Sequence, residues 1–164
     1  MKISLIILSV LLVAFLAVQY FAFKSQQNIE TYSYSVDKEY ETFEIRSYES
    51  TLFTSVKLTP NDFKNASSKG FGILAGYIFG GNETGEKISM TSPVSMSLED
   101  SVTMMFMVPN KLKKENLPVP DESKIIFTQE PVKTLAVINF SGWANDEKIE
   151  QYKQKLISAL DAEG

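Results

Sequence analysis

From Ile3 to Phe23 the chain is almost unbroken hydrocarbon, interrupted only by Ser4, Ser9, Gln19 and small residues, and it carries no charge. A bilayer core of about 30 Å needs roughly 20 apolar residues in a helix, and this run supplies them. A cleaved signal peptide would have a shorter apolar region and a small-residue cleavage site. After Leu16 the chain instead reads Ala-Val-Gln-Tyr-Phe-Ala-Phe. The pattern therefore predicts a membrane signal-anchor over residues 1–24. Lys2 and the terminal amine precede the span and Lys24 alone follows it, which favours a cytoplasmic N-terminus and a domain on the non-cytoplasmic side. Residues 25–35 read as a polar linker, and residues 36–164 as one domain.

Within that domain the pattern first alternates. Tyr32, Tyr34 and Val36 open a strand, and Glu39 to Arg46 alternates again. Glu49-Ser50 can turn, and Leu52 to Leu58 returns with Leu52, Thr54, Val56 and Leu58 on one face. The period then changes. Thr59-Pro60-Asn61-Asp62 is a helix start, with proline at the first helical position and acid in the first turn. Phe63, Ala66, Gly70, Leu74 and Tyr77 follow at steps of three and four, one face of a helix. Gly70, Gly72 and Gly76 each cost that helix about 1 kcal/mol relative to alanine. Close packing on a sheet and close approach of a flat ligand both explain such glycines. Gly80-Gly81-Asn82 ends the helix, since these residues tolerate the left-handed conformation common at helix ends.

Ile88, Met90, Ser92 and Val94 then share one side of an extended chain. Pro93 places this strand at an edge or a change of direction. Val102 to Val108 is an apolar run suited to a central strand. Pro109 to Asp121 is an exposed connection. Lys124 to Thr128 and Lys133 to Phe140 are two more strands about a Glu130-Pro131 turn. Asn145-Asp146-Glu147 opens a last helix with Ile149, Tyr152, Leu156, Ala159 and Leu160 on one face. Phe43–Leu58 and Ile125–Phe140 are equal in length and alike in plan: strand, turn, strand, helix entry. The expected fold is α+β, two hairpin-helix-strand repeats in one antiparallel sheet with two helices on one face. The second repeat stops after its helix and reads as C-terminally incomplete.

Composition narrows the chemistry. A net charge of −4 and a pI near 5.0 argue against nucleic acid as the main partner. The chain has no cysteine and no histidine. Disulfides, thiolate catalysis and the usual hydrolase triads are excluded, together with the commonest zinc and haem-iron ligands. No metal site is expected, and no catalytic residue. Met90, Met96, Met104, Met105 and Met107 form a methionine-rich set, which fills irregular core gaps or lines adaptable binding surfaces. Trp143 reads as a packing anchor at the entry to the last helix. Asp37, Glu39, Glu41 and Glu44 read as a solvated strand face.

Three pieces in order carry a family resemblance: Tyr40-Glu41-Thr42-Phe43-Glu44-Ile45-Arg46-Ser47-Tyr48, the run Gly76-Tyr77-Ile78-Phe79-Gly80-Gly81-Asn82 continuing through Gly85-Glu86-Lys87-Ile88-Ser89-Met90-Thr91-Ser92-Pro93-Val94, and Met105-Phe106-Met107-Val108-Pro109. From about Ile29 onward the chain resembles the SOUL haem-binding protein family. The resemblance implies the repeat architecture above and further residues after Gly164. It implies a haem or related tetrapyrrole held in an apolar groove near the first helix, with basic residues near the propionates. The positions that match this role are Lys69, Phe71, Ile73, Leu74 and Ile78. Iron ligation is left to methionine, tyrosine or lysine, or is absent. The expected function is a membrane-anchored, non-catalytic tetrapyrrole-binding domain. A small-amphiphile sensing or protein-interaction domain that does not bind haem is the alternative, and an enzyme using Glu and Tyr as acid and base is a third, less favoured for want of a paired-carboxylate pattern.

Overall fold

The computed structural model describes residues 7, 10–20, 29–59, 63–98 and 101–163. The chain divides into two compact units, Met1–Glu30 and Thr31–Gly164. In the first, residues 10–20 are helical, which at 1.5 Å per residue gives roughly 16 Å. Among the described residues no helix is long and apolar enough to cross a membrane. The ends of the expected span, most of the linker and the helix-start residues 60–62 lie outside the described residues.

The second unit contains strands β1 (Tyr34–Glu39), β2 (Glu44–Tyr48) and β3 (Thr51–Leu58), then helix α1 (Phe63–Ile78). Strands β4 (Val94–Ser97), β5 (Val102–Met107), β6 (Ile125–Glu130) and β7 (Lys133–Val137) follow, and helix α2 (Asp146–Glu163) ends it. The α+β class is as expected, but the single sheet is not. The strands form a three-stranded sheet of order β1-β2-β7 and a four-stranded sheet of order β4-β5-β3-β6, every pair antiparallel.

The two equal-length segments are real, but neither is a hairpin. β2 and β3 do not pair with each other, and neither do β6 and β7. Each segment instead runs against the other. Glu44 lies opposite Val137 and Tyr48 opposite Lys133 in one sheet; Thr51 lies opposite Glu130 and Val56 opposite Ile125 in the next. The register is continuous across the bend, where Glu49-Ser50 faces Pro131-Val132. One long two-stranded ribbon therefore belongs to both sheets and joins them. Ser50 Oγ donates to the Glu130 carbonyl at 2.8 Å and accepts from Gln129 Nε2 at 2.9 Å, pinning the bend from the side.

β3 is central to the four-stranded sheet and is buried on both faces. Val56 and Leu58 face α1 with Leu74, Tyr77, Ile78, Met104, Phe106 and Ile125. Phe53 points the other way, into a second cluster with Tyr32 and Met107, flanked by Tyr48 and Met105. α1 lies on β3 and β5. A Cβ on Gly70 would stand 2.8 Å from Leu58 Cδ1 and 3.0 Å from Met104 Cβ, so here glycine serves close packing. A Cβ on Gly72 or Gly76 would meet nothing within 4 Å. α2 buries no residue. Asn145 Oδ1 caps it by accepting the Lys148 N–H at 2.8 Å, and Tyr152 stacks on Phe140 at 4.7 Å.

Candidate functional site

The loop after α1 is built around one buried side chain. Asn82 is 4% exposed. Its Nδ2 donates to the carbonyls of Tyr77 at 3.1 Å and Glu86 at 2.8 Å, and its Oδ1 accepts from the Glu86 N–H and Thr84 Oγ1, both at 3.0 Å. Gly80 holds φ +110°, and a Cβ on Gly81 would lie 2.8 Å from the Gly76 carbonyl oxygen. The Gly80-Gly81-Asn82 run is thus a clasp that closes the helix. Ile88 N–H bonds the Ile78 carbonyl at 2.9 Å, but the strand expected from Ile88 to Val94 is extended in a ladder only at Thr91–Ser92 and from Val94 onward. Below it, Tyr77 Oη donates to the Pro118 carbonyl at 3.0 Å, and burial pushes the phenol up to about 12.

Toward the other end of α1, the helix and the sheet edge leave an apolar groove of about 570 Å³. Phe63, Lys64, Ser67, Ser68 and Phe71 line it from the helix, and Val94, Met96 and Met104 from β4 and β5. Phe71 is 41% and Val94 42% exposed, so both present carbon to solvent. Phe71 is held edge-on to Phe106 at 5.4 Å. Lys64 is exposed at the rim. Lys64, Phe63 and Ser67 also line a neighbouring cavity of about 510 Å³, whose far wall is Trp143 to Asp146. Phe63 N–H donates to Asp146 Oδ1 at 3.1 Å, tying that loop to the start of α1. Trp143 is 96% exposed, so it is no packing anchor.

The five expected contact positions separate. Phe71 lines the groove. Leu74 has no exposed surface and Ile78 is 4% exposed; both lie in the core between α1 and the sheet. Ile73 is half-buried against that core, and Lys69 is exposed and away from the groove lining. The other lining positions, Phe63, Lys64, Ser67, Ser68, Val94, Met96 and Met104, are not among the five expected ones. Positions 64, 67, 68 and 71 form a helical stripe beside the core stripe, but lysine and two serines hide it from an apolar-period search. Val94 and Met96 share one side of β4 and were open to selection on alternation alone.

Elsewhere, Arg46 Nε bonds Glu44 Oε2 at 2.7 Å and its guanidinium lies over the Tyr34 ring at 4.4 Å. Hydrogen bonding to Glu44 and Tyr48 raises the Arg46 pKa. Among the described residues no group of three or more acidic side chains could hold a metal ion.

A family model described as SOUL heme-binding protein matches residues 29–164. The chain belongs to the SOUL heme-binding protein family. Heme-binding protein 2 of Mus musculus is 28% identical over 137 residues, 79% of this chain and 66% of that protein. Heme-binding protein 2 of Homo sapiens is 28% identical over 131 residues, 75% of this chain and 63% of that protein. Heme-binding protein 1 of Xenopus laevis is 28% identical over 132 residues, 76% and 69% of the two chains. This SOUL domain therefore spans just under two thirds of the mouse and human heme-binding protein 2. Its Gly80-Gly81-Asn82 clasp is structural, and the open apolar surface lies along the first half of α1.

Proposed function

We propose that this SOUL domain binds haem or a related tetrapyrrole, without catalysing a reaction on it, in the groove between α1 and strands β4 and β5. The observation that carries the reading is the groove itself: about 570 Å³, walled by Phe63, Phe71, Val94, Met96 and Met104, with a lysine at its rim. Cofactor sites are concave, mostly apolar and of about 300–1,000 Å³. A flat macrocycle would lie against Phe71, Val94 and Met96, and its propionates would reach Lys64. When bound, haem supplies an apolar disc and an iron centre. Among the lining residues, the thioethers of Met96 and Met104 would be the donors available to an iron centre, with the Lys64 amine as the alternative to its place at the propionates. The residues present therefore fit an apolar disc with an acidic edge, held mainly by burial at roughly 25 cal/mol per Å².

Hemin titration followed by visible absorbance tests this reading. Saturable binding is expected, without a histidine-type spectrum. Phe71→Asp and Val94→Asp should each weaken it at least tenfold while circular dichroism stays native, because both side chains are already exposed. Lys64→Ala should weaken it only modestly, since a rim ion pair is worth about 0–1 kcal/mol. Phe79→Asp, at a side chain 60% exposed and outside the groove lining, should change nothing. An unchanged hemin spectrum with folded protein would move the reading to the small-amphiphile or interaction domain.

Membrane attachment through the Ile3–Phe23 run, with the domain on the non-cytoplasmic side, is the second part of the proposal. It rests on the length and lack of charge of that run and on the position of Lys2 before it.

A further inference from the structure

The four-stranded sheet has a second face, and a cavity lies against it. β5 turns Met104 toward α1 and its neighbour Met105 away from it, as alternation along a strand requires. On the Met105 side a cavity of about 350 Å³ is walled by Tyr32, Tyr48, Phe53, Met105 and Leu135. It is smaller than the α1 groove and is rimmed by Lys133 and by Pro93, Ser95 and Ser97. Met96 of β4 borders both spaces, while Met104 belongs to the groove alone and Met105 to this cavity alone. The aromatic wall is continuous: Tyr32 lies 4.9 Å from Tyr48 and 5.3 Å, edge-on, from Phe53, centroid to centroid.

One group in this wall has an unmet need. Tyr32 is 7% exposed, yet its hydroxyl has no hydrogen-bond partner, the one buried side-chain polar atom among the described residues in that condition. Buried polar groups are nearly always paired, so an orphan asks for an explanation. Burial raises the Tyr32 pKa, which keeps the hydroxyl a donor at neutral pH. Lys133, the cationic group at the rim, is already bonded to Glu130 at 2.8 Å. The site therefore offers a free neutral donor among aromatic and thioether surfaces, with its cation already compensated.

We propose that this cavity is a second binding site, distinct from the α1 groove, for a small, flat, uncharged molecule that carries one acceptor oxygen and accepts a hydrogen bond from Tyr32. An aryl ketone or ester has that chemistry; a tetrapyrrole is too large for 350 Å³. The assignment does not depend on haem binding at the groove.

Met104 and Met105 are adjacent reporters for the two faces. The full chain, labelled with ¹³C at its methionine methyls, is titrated with 2-acetylnaphthalene and separately with naphthalene. The Met105 methyl should shift saturably while Met104 stays in place. The ketone should bind several-fold tighter than the hydrocarbon to the wild type, and that preference should vanish in Tyr32→Phe measured in the same preparation. A shift at Met104 alone places the probe in the groove and overturns the proposal, as does the absence of any saturable shift. An undiminished ketone preference in folded Tyr32→Phe overturns the role of the hydroxyl. The wild-type reporter shifts decide the site even where the variant does not fold.

Discussion

Gly70 and Gly72 sit two positions apart on α1 and do opposite things. At Gly70 an added methyl meets Leu58 and Met104 inside van der Waals distance; at Gly72 it meets nothing. Gly70→Ala should therefore destabilise the domain by about 1–3 kcal/mol, the usual range for overpacking. Gly72→Ala should stabilise it by roughly 0.5–1 kcal/mol, because only the backbone entropy of glycine is removed. Denaturant midpoints of the two variants check both signs. The sequence alone could count these glycines but not rank them, because helix propensity is blind to what lies opposite. Tyr77 gives a pH signature at the same scale. Its folded pKa, pushed up to about 12, exceeds its ordinary value of 10.0. A group with a raised folded pKa stabilises fully below the unfolded value and loses that contribution as pH rises through the folded one. Stability should accordingly fall between about pH 10 and pH 12, and Tyr77→Phe should flatten that part of the profile, as read from urea midpoints across the range.

Element by element, the α1 face Ala66, Gly70, Leu74, Tyr77 is legible because a helix buries what its own period dictates, whereas Phe63 on the same period is half-buried and lines the groove. Most strands are legible for the same local reason, but the alternation from Glu39 to Arg46 is broken between Glu39 and Glu44, and that from Ile88 to Val94 pairs only at Thr91–Ser92 and from Val94. The partners of the strands are not legible. Two strands separated by a short turn read as a hairpin, yet Pro131 and Val132 stand at a bend across which the ladder continues to the next sheet. Period reports which side of a strand is buried and says nothing of which strand lies beside it. Leu74 shows the consequence for the site: it was eligible both as core and as ligand contact, and the sheet under α1 makes it core. Leu74→Ala should cost about 2–5 kcal/mol, as deleting a buried leucine side chain does. Loss of haem binding in such a variant would report lost structure, which is why the exposed Phe71 is the better probe. Trp143 departs from its expected packing role because an aromatic residue at a helix entry packs in many folds, and nothing local to it fixes how much surface lies opposite; here it is 96% exposed.

For the whole molecule, the two faces of one four-stranded sheet divide the labour. One carries α1 and the groove; the other carries the Tyr32 cluster. The Asn82 clasp explains why a family-like motif is strongly patterned without touching the groove lining. It fixes the C-terminal end of α1, while the groove is walled by the N-terminal half of that helix. At this scale the N-terminal run makes a separate prediction. If Ile3–Phe23 anchors the chain, the full-length protein should stay with membranes through alkaline carbonate extraction, since an inserted span of about 20 apolar residues is effectively irreversible. Release into the supernatant as an intact chain would remove the anchor from the account.

The most direct test of groove binding uses the methionine pair with a diamagnetic tetrapyrrole. Zinc protoporphyrin is titrated into the methyl-labelled protein, and the ring current of the macrocycle is read at each methionine. The account predicts a saturable shift at Met104, which lines the groove alone, with Met105 and Met107 nearly unmoved; Met96 borders both the groove and the second cavity and moves with binding at either. Saturable binding that shifts Met105 and leaves Met104 in place, or no saturable shift at any methionine, would contradict it.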